Sequence, residues 1–412
     1  MVVALASRVY SAFAPPKVEK RKDGAIRFGV LGAAKIAPMA LITPAQSHPE
    51  VIVQAVAARD RSRAEEFAKK HGIPEVRNSY QELLDDPNID AIFIPLPNSL
   101  HYEWAVRSIR AGKHVLLEKP SCNTSAEANI LFNLPELTQS PNPPVILEAF
   151  HNRFHPAVRK FLSFIEPEHV VHVHTDSMVS WWLVNKDNIE FSYKMGGGSM
   201  MALGTYNFAM LRMIFGSEPV ECVSCDVGVL GDGIHDQCDA DFRAKFRFPN
   251  GGIGEAETTL RGSLLWKPSE ARVTHGEVVV PDKSLPDTQE KVRTREVTLH
   301  GFIHAIIWHR IDVKDSFVVR NKKDGQPVSK WVESNSYKAY SFAEAGGKEF
   351  EGVAGEAWWM SYRYQLEAFV NRIKGRETQF WVDGQDSINQ MKMLDMAYEK
   401  SGLGLRPTSE FR

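Results

Sequence analysis

Hydrophobic residues in positions 26–150 form short, nearly continuous runs that are separated by amphipathic segments. The runs "IRFGVLG", "VIVQAVAA", "DAIFIPLP" and "KHVLLEKP" predict strands, and "HYEWAVRSIRAG", with apolar residues at three-to-four spacing, predicts a helix. Strands that are apolar on both faces are typical of a parallel sheet covered by helices on both sides. The first part of the sequence therefore predicts an α/β domain with a doubly wound parallel sheet.

Capping residues and prolines predict where the helices of this region begin and end. Ser62 with Glu65, and Thr124 with Glu127, each match the capping-box pattern of a helix start. A short helix over residues 35–45 is predicted to stop at Pro44.

Polar and apolar residues alternate one by one in the second half of the chain. "EHVVHVHTDSMVSWW" puts Val171 and Val173 opposite His172 and His174, and "DADFRAKFRF" gathers its apolar residues on one face. This pattern predicts strands of an antiparallel sheet with one buried face and one polar face. The chain then returns to helix near its end.

The composition limits the class of protein. The chain has 412 residues, enough for two domains, and a net charge of −2 from 49 basic and 51 acidic residues. This balance gives no basic excess for nucleic acid, and no window approaches the ~18 apolar residues of a membrane span. Cys222-x-x-Cys225 lacks a second pair, and Pro156 argues against one helical face for His151 and His155, so no metal is expected.

Residues 1–24 differ from the rest of the chain. They read "MVVALASRVYSAFAPPKVEKRKDG", an alanine-rich stretch followed by Pro-Pro and a mixed-charge linker. The stretch lacks the basic start and the cleavage site of a secretory signal. We expect an arm that packs on the domain or on a partner subunit of a cytoplasmic protein. A mitochondrial presequence is the alternative, although Arg8 is the only basic residue before Lys17.

The first predicted strand runs into "GVLGAAKIA", a variant of the glycine-rich dinucleotide fingerprint. Gly32 stands at the tight turn, and Ala34 and Ala37 replace the second and third glycines. Such a turn lets the backbone approach a pyrophosphate. The residues predicted to bind a dinucleotide here are Gly32, Ala33, Ala34, Lys35 and Ile36.

The second predicted strand ends at Ala58-Arg59. A strand end that binds NAD usually carries an Asp or Glu for the ribose hydroxyls, whereas a 2′-phosphate requires a cation. Arg59 therefore predicts NADP(H), since its planar guanidinium can pair with phosphate and stack on adenine. The alternative is that Arg59, like Arg61 and Arg63, is a solvated charge at a helix start.

Another predicted strand ends in Glu118-Lys119-Pro120, at the edge of the sheet where ligands bind. This tripeptide is one of four motifs that occur in order, namely "PLPNSLH" (95–101), "EKP" (118–120), "EAFHNRFHP" (148–156) and "GGGSMMALGTY" (196–206). They closely resemble motifs of the glucose-fructose oxidoreductase/inositol dehydrogenase (Gfo/Idh/MocA) family. Within it, they look most like dimeric dihydrodiol dehydrogenases and NADP-dependent D-xylose dehydrogenases. The resemblance extends from about residue 26 to residue 400.

The resemblance implies a fold and an assembly. The fold class is α/β then α+β, with an N-terminal Rossmann dinucleotide-binding domain and a C-terminal domain built on a large, open-faced, mostly antiparallel sheet. The expected boundaries are an N-terminal arm (1–24), a Rossmann NADP-binding domain (25–150), an α+β substrate and dimerisation domain (151–380), and a C-terminal helix that returns to the Rossmann domain (381–412). A homodimer through the open face of the large sheet is also implied.

The resemblance also implies roles for individual residues. Lys119 would hydrogen-bond the reacting oxygen and help move its proton, and Glu118 would position the cofactor and its loop. Tyr206 would be the second acid–base group, with a pKa that the nearby lysine lowers. The other expected cofactor-binding residues are Pro95, Leu96, Asn98, His101 and Arg153. Arg153 is expected to lie near the substrate as well. His151 and Asn152 depart from the apolar or aromatic pair that relatives often carry there, and their polarity, not the resemblance, predicts that they bind a polar substrate. Trp181 is expected to contact the substrate too, with Tyr364 as a further candidate. For Tyr206 and Trp181, packing in the core is the alternative.

Position 202 departs from the family pattern, since it is alanine where relatives often carry a substrate-contacting aspartate. The main prediction is hydride transfer between NADP(H) and a hydroxyl or carbonyl carbon of a sugar or polyol-like substrate, as in D-xylose 1-dehydrogenases or dihydrodiol dehydrogenases. Ala202 keeps two alternatives open. One is a nicotinamide-dependent elimination or isomerisation without net redox change, and the other is a catalytically silent, NADP-sensing regulatory protein.

Overall fold

The computed structural model describes residues 2–265 and 267–411. The first domain is built on a sheet with the strand order β3-β2-β1-β4-β5-β6. Its strands are β1 (Ile26–Leu31), β2 (Val51–Ala57), β3 (Glu75–Val76), β4 (Ala91–Ile94), β5 (His114–Leu117) and β6 (Ile146–Glu148). Each neighbouring pair is parallel, which confirms the predicted sheet.

The helices of this domain connect the strands. They are α2 (Thr43–Gln46), α3 (Arg61–His71), α4 (Tyr80–Asp85), α5 (His101–Arg110), α6 (Ser125–Phe132) and α7 (Pro135–Thr138). The side chains of β4 are buried along the whole strand, because both faces of the sheet are packed. This burial explains the continuous apolar runs in the sequence.

Two predicted helix boundaries were wrong. The N-cap of α3 is Asp60 and not Ser62, since the Asp60 carboxylate accepts hydrogen bonds from the N–H groups of Ser62 and Arg63. Pro44 does not stop a helix but lies within one, since the π-helical turn Pro38–Ile42 leads directly into α2 (Thr43–Gln46). Thr124 caps α6, as predicted.

A large, mostly antiparallel sheet forms the second domain. Its order is β15-β14-β13-β11-β7-β10-β9-β8, with β12 beside β13. Its strands are β7 (Val170–Ser180), β8 (Glu221–Gly228), β9 (Asp241–Arg247), β10 (Ile253–Gly262), β11 (Glu270–His275), β12 (Val278–Val280), β13 (Gln289–His300), β14 (Arg310–Asn321) and β15 (Pro327–Tyr337). The central strands β7 and β10 pair in parallel.

Helices cover one face of this large sheet and leave the other face open. The helices that follow α7 in the chain are α8 (Pro156–Leu162), α9 (Thr205–Phe215), α10 (Phe342–Ala345), α11 (Ser361–Ile373) and α12 (Gly384–Ser401). On the covered face, the ring of Phe208 in α9 packs 5.4 Å from that of Phe242 in β9. On the open face, Glu255 binds Lys245 at 2.9 Å and His172 at 3.4 Å. The predicted open-faced sheet is confirmed.

The last helix, α12, packs against both α6 of the first domain and β8 of the second. Asp386 near its start accepts ion pairs from Arg153 at 2.6 Å and from Arg212 of α9 at 2.7 Å. These partly buried charges fix the helix to the second domain while it touches the first.

The N-terminal helix α1 (Val2–Phe13) packs on the second domain. The Arg8 guanidinium lies 3.4 Å from the ring centroid of Tyr340, and Ala12 is buried. Among the helices that the structure describes, none is both long enough and apolar enough to cross a membrane.

Candidate active site

A cleft of about 1430 Å³ separates the carboxyl edge of the parallel sheet from the second domain. The first domain lines it with many of the predicted residues, namely residues 32–36, Arg59, Pro95, Leu96, Asn98, His101, Glu118 and Lys119. The second domain lines it with Asn188, Glu190, Ala202, Tyr206, His304 and Tyr362, among others. Since ordinary small-molecule pockets measure ~300–1,000 Å³, this cleft has room for a dinucleotide beside a second small molecule.

The turn after β1 has the geometry of a phosphate-binding loop. Gly32 has a φ of +94°, in the region that favours glycine, and a Cβ there would lie 3.1 Å from Cδ2 of Leu96. Its N–H donates to the carbonyl of Ala57 at 2.6 Å, which closes the turn against β2. The next residues, Ala33 and Ala34, have small side chains, so the backbone of the turn remains accessible from the cleft.

Three basic side chains line the cleft near the ends of β1 and β2, namely Lys35, Arg59 and Arg63. Arg59 is exposed, and none of the three forms an ion pair with an acid among the described residues. The adjacent Asp60 uses its carboxylate to cap α3. It accepts hydrogen bonds from the Ser62 hydroxyl at 2.7 Å and from the N–H groups of Arg63 and Ser62, and these bonds lower its pKa. The residues present therefore fit a phosphorylated ribose better than a free 2′-hydroxyl.

Asn98, in the segment after β4, and His101, the first residue of α5, hold neighbouring loops in position. The buried His101 ring contacts the carbonyls of Pro120 and Leu96, each at 2.8 Å. The Asn98 side-chain amide donates to the carbonyl of Gly196 at 2.9 Å, which connects the first domain to the glycine tract of the second. These contacts fix the position of Lys119 relative to the second domain.

Lys119 lies in the middle of the cleft. Its Nζ donates to the carbonyl of Ala202 at 2.9 Å and lies 5.0 Å from the ring centroid of Tyr206. Burial lowers the pKa of Lys119, against the opposing effect of the carboxylates of Glu118, Glu190 and Glu148. Burial also raises the pKa of Glu118 to about 7. The Lys119–Pro120 peptide bond is cis.

Tyr206 is buried and its hydroxyl lies 3.1 Å from Nε2 of His151. Nδ1 of the same ring lies 2.7 Å from Oγ of Ser361. Burial lowers the pKa of His151 well below its ordinary value, so the ring is neutral and can accept on one nitrogen while donating on the other. The contacts to His151 and, through it, to Ser361 therefore hold the Tyr206 hydroxyl in a fixed position.

The expected lowering of the Tyr206 pKa was wrong. Burial raises this pKa well above 10, and the neighbouring Tyr362 and Glu118 raise it further. Lys119 lies over the ring of Tyr206 and donates to Ala202, so it does not offset this effect. In the structure the phenol is therefore a protonated hydrogen-bond donor.

Four predicted substrate-binding residues and one further candidate lie outside the cleft. Arg153 is buried in its ion pair with Asp386, and the neighbouring Asn152 is fully buried. Trp181 is 59% exposed and borders a separate shallow depression. Tyr364 is buried, and its hydroxyl donates to backbone carbonyls instead of reaching the cleft. His151 does not line the cleft but lies behind it, with its Nε2 3.1 Å from the Tyr206 hydroxyl.

The sequence did not identify Tyr362 and His304 as cleft residues. The Tyr362 ring stacks on His151 with centroids 3.9 Å apart, and His304 stacks on the same ring at 5.7 Å. They come from the start of α11 and from the loop between β13 and β14, and neither lies near a recognisable motif. Burial lowers the pKa of His304, so this ring is neutral at pH 7.

Glu148, at the end of β6, makes stability dependent on pH. It is fully buried, its Oε1 accepts from the Ser121 N–H at 2.7 Å, and burial raises its pKa to about 7. A carboxyl whose folded pKa is raised binds its proton more tightly in the folded state, so stability falls as pH rises from about 4.5 to about 7. Wild type should lose on the order of 3 kcal/mol of unfolding free energy through Glu148 over this pH range, since each pKa unit corresponds to ~1.4 kcal/mol. We expect Glu148→Gln to abolish this loss.

Urea unfolding at pH 5 and pH 8 measures this effect. The urea concentration at the unfolding midpoint of wild type should be lower at pH 8 than at pH 5. For Glu148→Gln the decrease should be smaller. The exposed Glu168→Gln serves as the control and should behave like wild type. An equal fall for Glu148→Gln and wild type would contradict the assignment.

Two family models match the chain. Residues 26–158 match "Oxidoreductase family, NAD-binding Rossmann fold", and residues 168–264 match "GFO/IDH/MocA C-terminal domain". The two matches follow one another in the chain and together cover more than half of it. They include the dinucleotide turn, the loop that carries Lys119, and the helix that carries Tyr206.

Characterised relatives and solved structures match over most of the chain or a large part of it. D-xylose 1-dehydrogenase (NADP(+)) 2 of Haloferax volcanii is 26% identical over 379 residues, which are 92% of this chain and 98% of that protein. Trans-1,2-dihydrobenzene-1,2-diol dehydrogenase of Sus scrofa is 28% identical over 58% of this chain and 70% of its own length. A 3-ketoreductase from Actinomadura kijaniata, solved with NADP and TDP-benzene, superposes with a TM-score of 0.67 at 19% identity, over 91% of this chain and 98% of that one. This structure supports the fold alone.

Proposed function

The chain belongs to the GFO/IDH/MocA family of oxidoreductases, and on this basis we propose that it transfers hydride between NADP(H) and a hydroxyl or carbonyl carbon of a sugar or polyol-like substrate. The observation that carries the proposal is the meeting of Lys119 and Tyr206 in the same cleft as the dinucleotide turn at Gly32. When bound, the nicotinamide supplies or accepts the hydride. The protein residues must then orient the substrate and move one proton.

Lys119 is the proposed proton donor and acceptor. One of its three N–H groups is held by the carbonyl of Ala202, which leaves two for the reacting oxygen. Because burial lowers its pKa, Lys119 releases a proton to a developing alkoxide more readily than an exposed lysine does. In the direction of oxidation the same amine takes the proton back.

Tyr206 is the proposed second hydrogen-bond donor to the same oxygen. Its raised pKa keeps the phenol protonated, so it stabilises charge on the oxygen instead of acting as a phenolate base. The contact with His151 orients the hydroxyl and links it to Ser361. His151 is thus a positioning residue for Tyr206.

A preference for NADP(H) follows from the basic residues near the ends of β1 and β2. Arg59 is unpaired among the described residues and can form charge-assisted hydrogen bonds with a 2′-phosphate, worth about 1.5–3 kcal/mol. The name of the Haloferax volcanii relative supports this preference. We expect Arg59→Ser to weaken NADPH binding by about 10-fold or more and to leave NADH binding nearly unchanged.

Fluorescence titration of both reduced cofactors tests this expectation. Arg61→Ser is the matched control, because Arg61 lies two residues away, outside the cleft, with its Nε bound to Glu65 at 2.8 Å. Equal affinities of wild type for NADH and NADPH would contradict the preference. An unchanged NADPH affinity of Arg59→Ser would assign the preference to other residues.

Turnover tests the reaction itself. Purified protein is screened at 340 nm with NADP+ and NADPH against aldoses, inositols, polyols, dihydrodiols and dicarbonyls. Net oxidation or reduction of one class supports the proposal. Tight NADPH binding without any absorbance change would favour the elimination, isomerisation or sensing alternatives, and Ala202 would then be the first residue to explain.

The proposed assembly is a homodimer through the open face of the large sheet. That face carries ion pairs such as Lys245–Glu255 and Arg243–Glu257, so contacts across it would be largely polar. Light scattering coupled to gel filtration should therefore report a dimer that high salt weakens. A monomer at low salt would exclude this assembly.

A further inference from the structure

Glu190 lines the cleft near Lys119, and one oxygen of its carboxylate has no hydrogen-bond partner among the described residues. It belongs to a 3₁₀ turn (Ile189–Phe191) of the second domain. Its Oε2 is buried and has no hydrogen-bond partner among the described residues. Its charge acts on Lys119 and favours the protonated lysine. A buried carboxylate oxygen without a partner is costly unless a ligand supplies the hydrogen bond.

The turn that carries Glu190 is held in place by packing. The N–H of Gly198 donates to the carbonyl of Glu190 at 2.8 Å. A Cβ at Gly197 would lie 2.6 Å from the same carbonyl, so the glycine tract allows the turn to sit directly against it. The next residue, Phe191, is buried in a small apolar cluster that also contacts Ala202. Glu190 is therefore a fixed part of the cleft wall.

The charges around Glu190 disfavour a substrate that carries a phosphate or a carboxylate. Among the described cleft residues, the basic side chains other than Lys119 are Lys35, Arg59 and Arg63, which follow β1 and β2. Arg59 and Lys119 follow strands that are three positions apart in the sheet, roughly 14 Å at ~4.8 Å per strand. His304 on the opposite wall is neutral at pH 7. A phosphate or carboxylate on the substrate would thus face Glu190, with Lys119 as the one nearby cation of the described cleft.

We propose that Glu190 is the substrate-binding carboxylate of this cleft, and that the substrate is polyhydroxylated and carries no anionic group. A carboxylate accepts hydrogen bonds from hydroxyl groups and more strongly from an amine, and it repels a second anion. Ala202 contributes only a methyl group and a carbonyl that Lys119 already occupies, so Glu190 supplies the missing acceptor. This inference rests on the proposed function and specifies its substrate class.

The test compares four sugars with one ring and different charge, namely D-glucose, D-glucosamine, D-glucuronate and D-glucose 6-phosphate. Binding is measured from the fluorescence of NADPH bound to the full-length protein, so that it requires no turnover. Wild type should bind glucose and glucosamine at least 10-fold more tightly than the two anions. Glu190→Gln should weaken glucosamine binding at least 10-fold and reduce the discrimination against the anions.

Glu190→Asp keeps the charge and should retain the rejection of anions, which separates charge from folding. Glu168→Gln removes an exposed acid outside the cleft and should bind all four sugars as wild type does. Three results would overturn the inference. Wild type could bind the anions more tightly than the other sugars, it could bind neither glucose nor glucosamine, or Glu190→Gln could discriminate against the anions as strongly as wild type does.

The turnover assay at 340 nm, run on the same four sugars and the same variants, separates this inference from the hydride-transfer proposal. Sugars that bind through Glu190 but are never oxidised or reduced would refute hydride transfer and leave the role of Glu190 intact. A neutral sugar whose turnover is the same in wild type and Glu190→Gln would support hydride transfer and refute the role of Glu190.

Discussion

Replacing Lys119 with alanine is expected to lower turnover by a factor on the order of 10² or more, because a positioned proton-transfer group contributes about that much. NADPH affinity should change by no more than a few-fold, since the Lys119 Nζ bonds to the carbonyl of Ala202 and the turn at Gly32 is independent of it. Steady-state kinetics on the substrate found by the screen, with NADPH titration on the same variant, measure both effects.

The matched control for this variant is Lys194→Ala. Lys194 is exposed, lies next to the glycine tract and does not line the cleft, so its loss removes the same charge without touching the site. Its turnover should equal that of wild type. Near-wild-type turnover of Lys119→Ala would refute the assigned role, and an equal loss in both variants would reduce that role to a general effect of charge.

Tyr206→Phe is expected to lower kcat and kcat/KM together by about 10–100-fold, the value of one hydrogen bond to a charged oxygen. The ring still packs against Phe150 at 5.9 Å, so the fold should be retained. The lost group is the hydroxyl that contacts His151 and, in our proposal, the reacting oxygen. Thermal unfolding, recorded with the kinetics, should change little.

Tyr193→Phe is the control for this second variant, because the Tyr193 hydroxyl donates to the carbonyl of Leu405 and does not line the cleft. A structural role of Tyr206 would lower the melting temperature and leave kcat of the surviving protein unchanged. That result would contradict the proposed function of its hydroxyl.

The sequence predicted the part of the site that belongs to the parallel sheet. The carboxyl ends of neighbouring parallel strands must meet at one edge, so the positions of Gly32, Arg59 and Lys119 in the chain were enough to bring them to one cleft. The alternation of apolar residues likewise predicted the large sheet, because strands such as β9 and β10 bury every second residue, and Phe242 of β9 packs on Phe208 of α9.

The opposite wall of the cleft could not be predicted in this way. Glu190, His304 and Tyr362 come from a 3₁₀ turn, a loop and a helix start that are far apart in the chain. Their meeting depends on how the second domain packs, and no local spacing encodes it.

Arg153 and Tyr206 illustrate a different limit. An arginine beside a motif looks the same whether it binds a phosphate or a distant carboxylate, and Arg153 pairs with Asp386. For Tyr206 the sign of the pKa shift depends on whether burial or a nearby cation dominates. Burial dominates here, and only the three-dimensional arrangement reveals it.

The measurement that tests the central claim most directly is isotope transfer from NADPH deuterated at C4. The protein is incubated with this cofactor and the carbonyl form of the substrate from the screen, and the product is analysed by mass spectrometry. The account predicts one deuterium per product molecule at the carbon that bears the new hydroxyl, with a rate that falls in Lys119→Ala. A product without deuterium, formed while the cofactor remains reduced, would contradict hydride transfer as the net reaction of this protein.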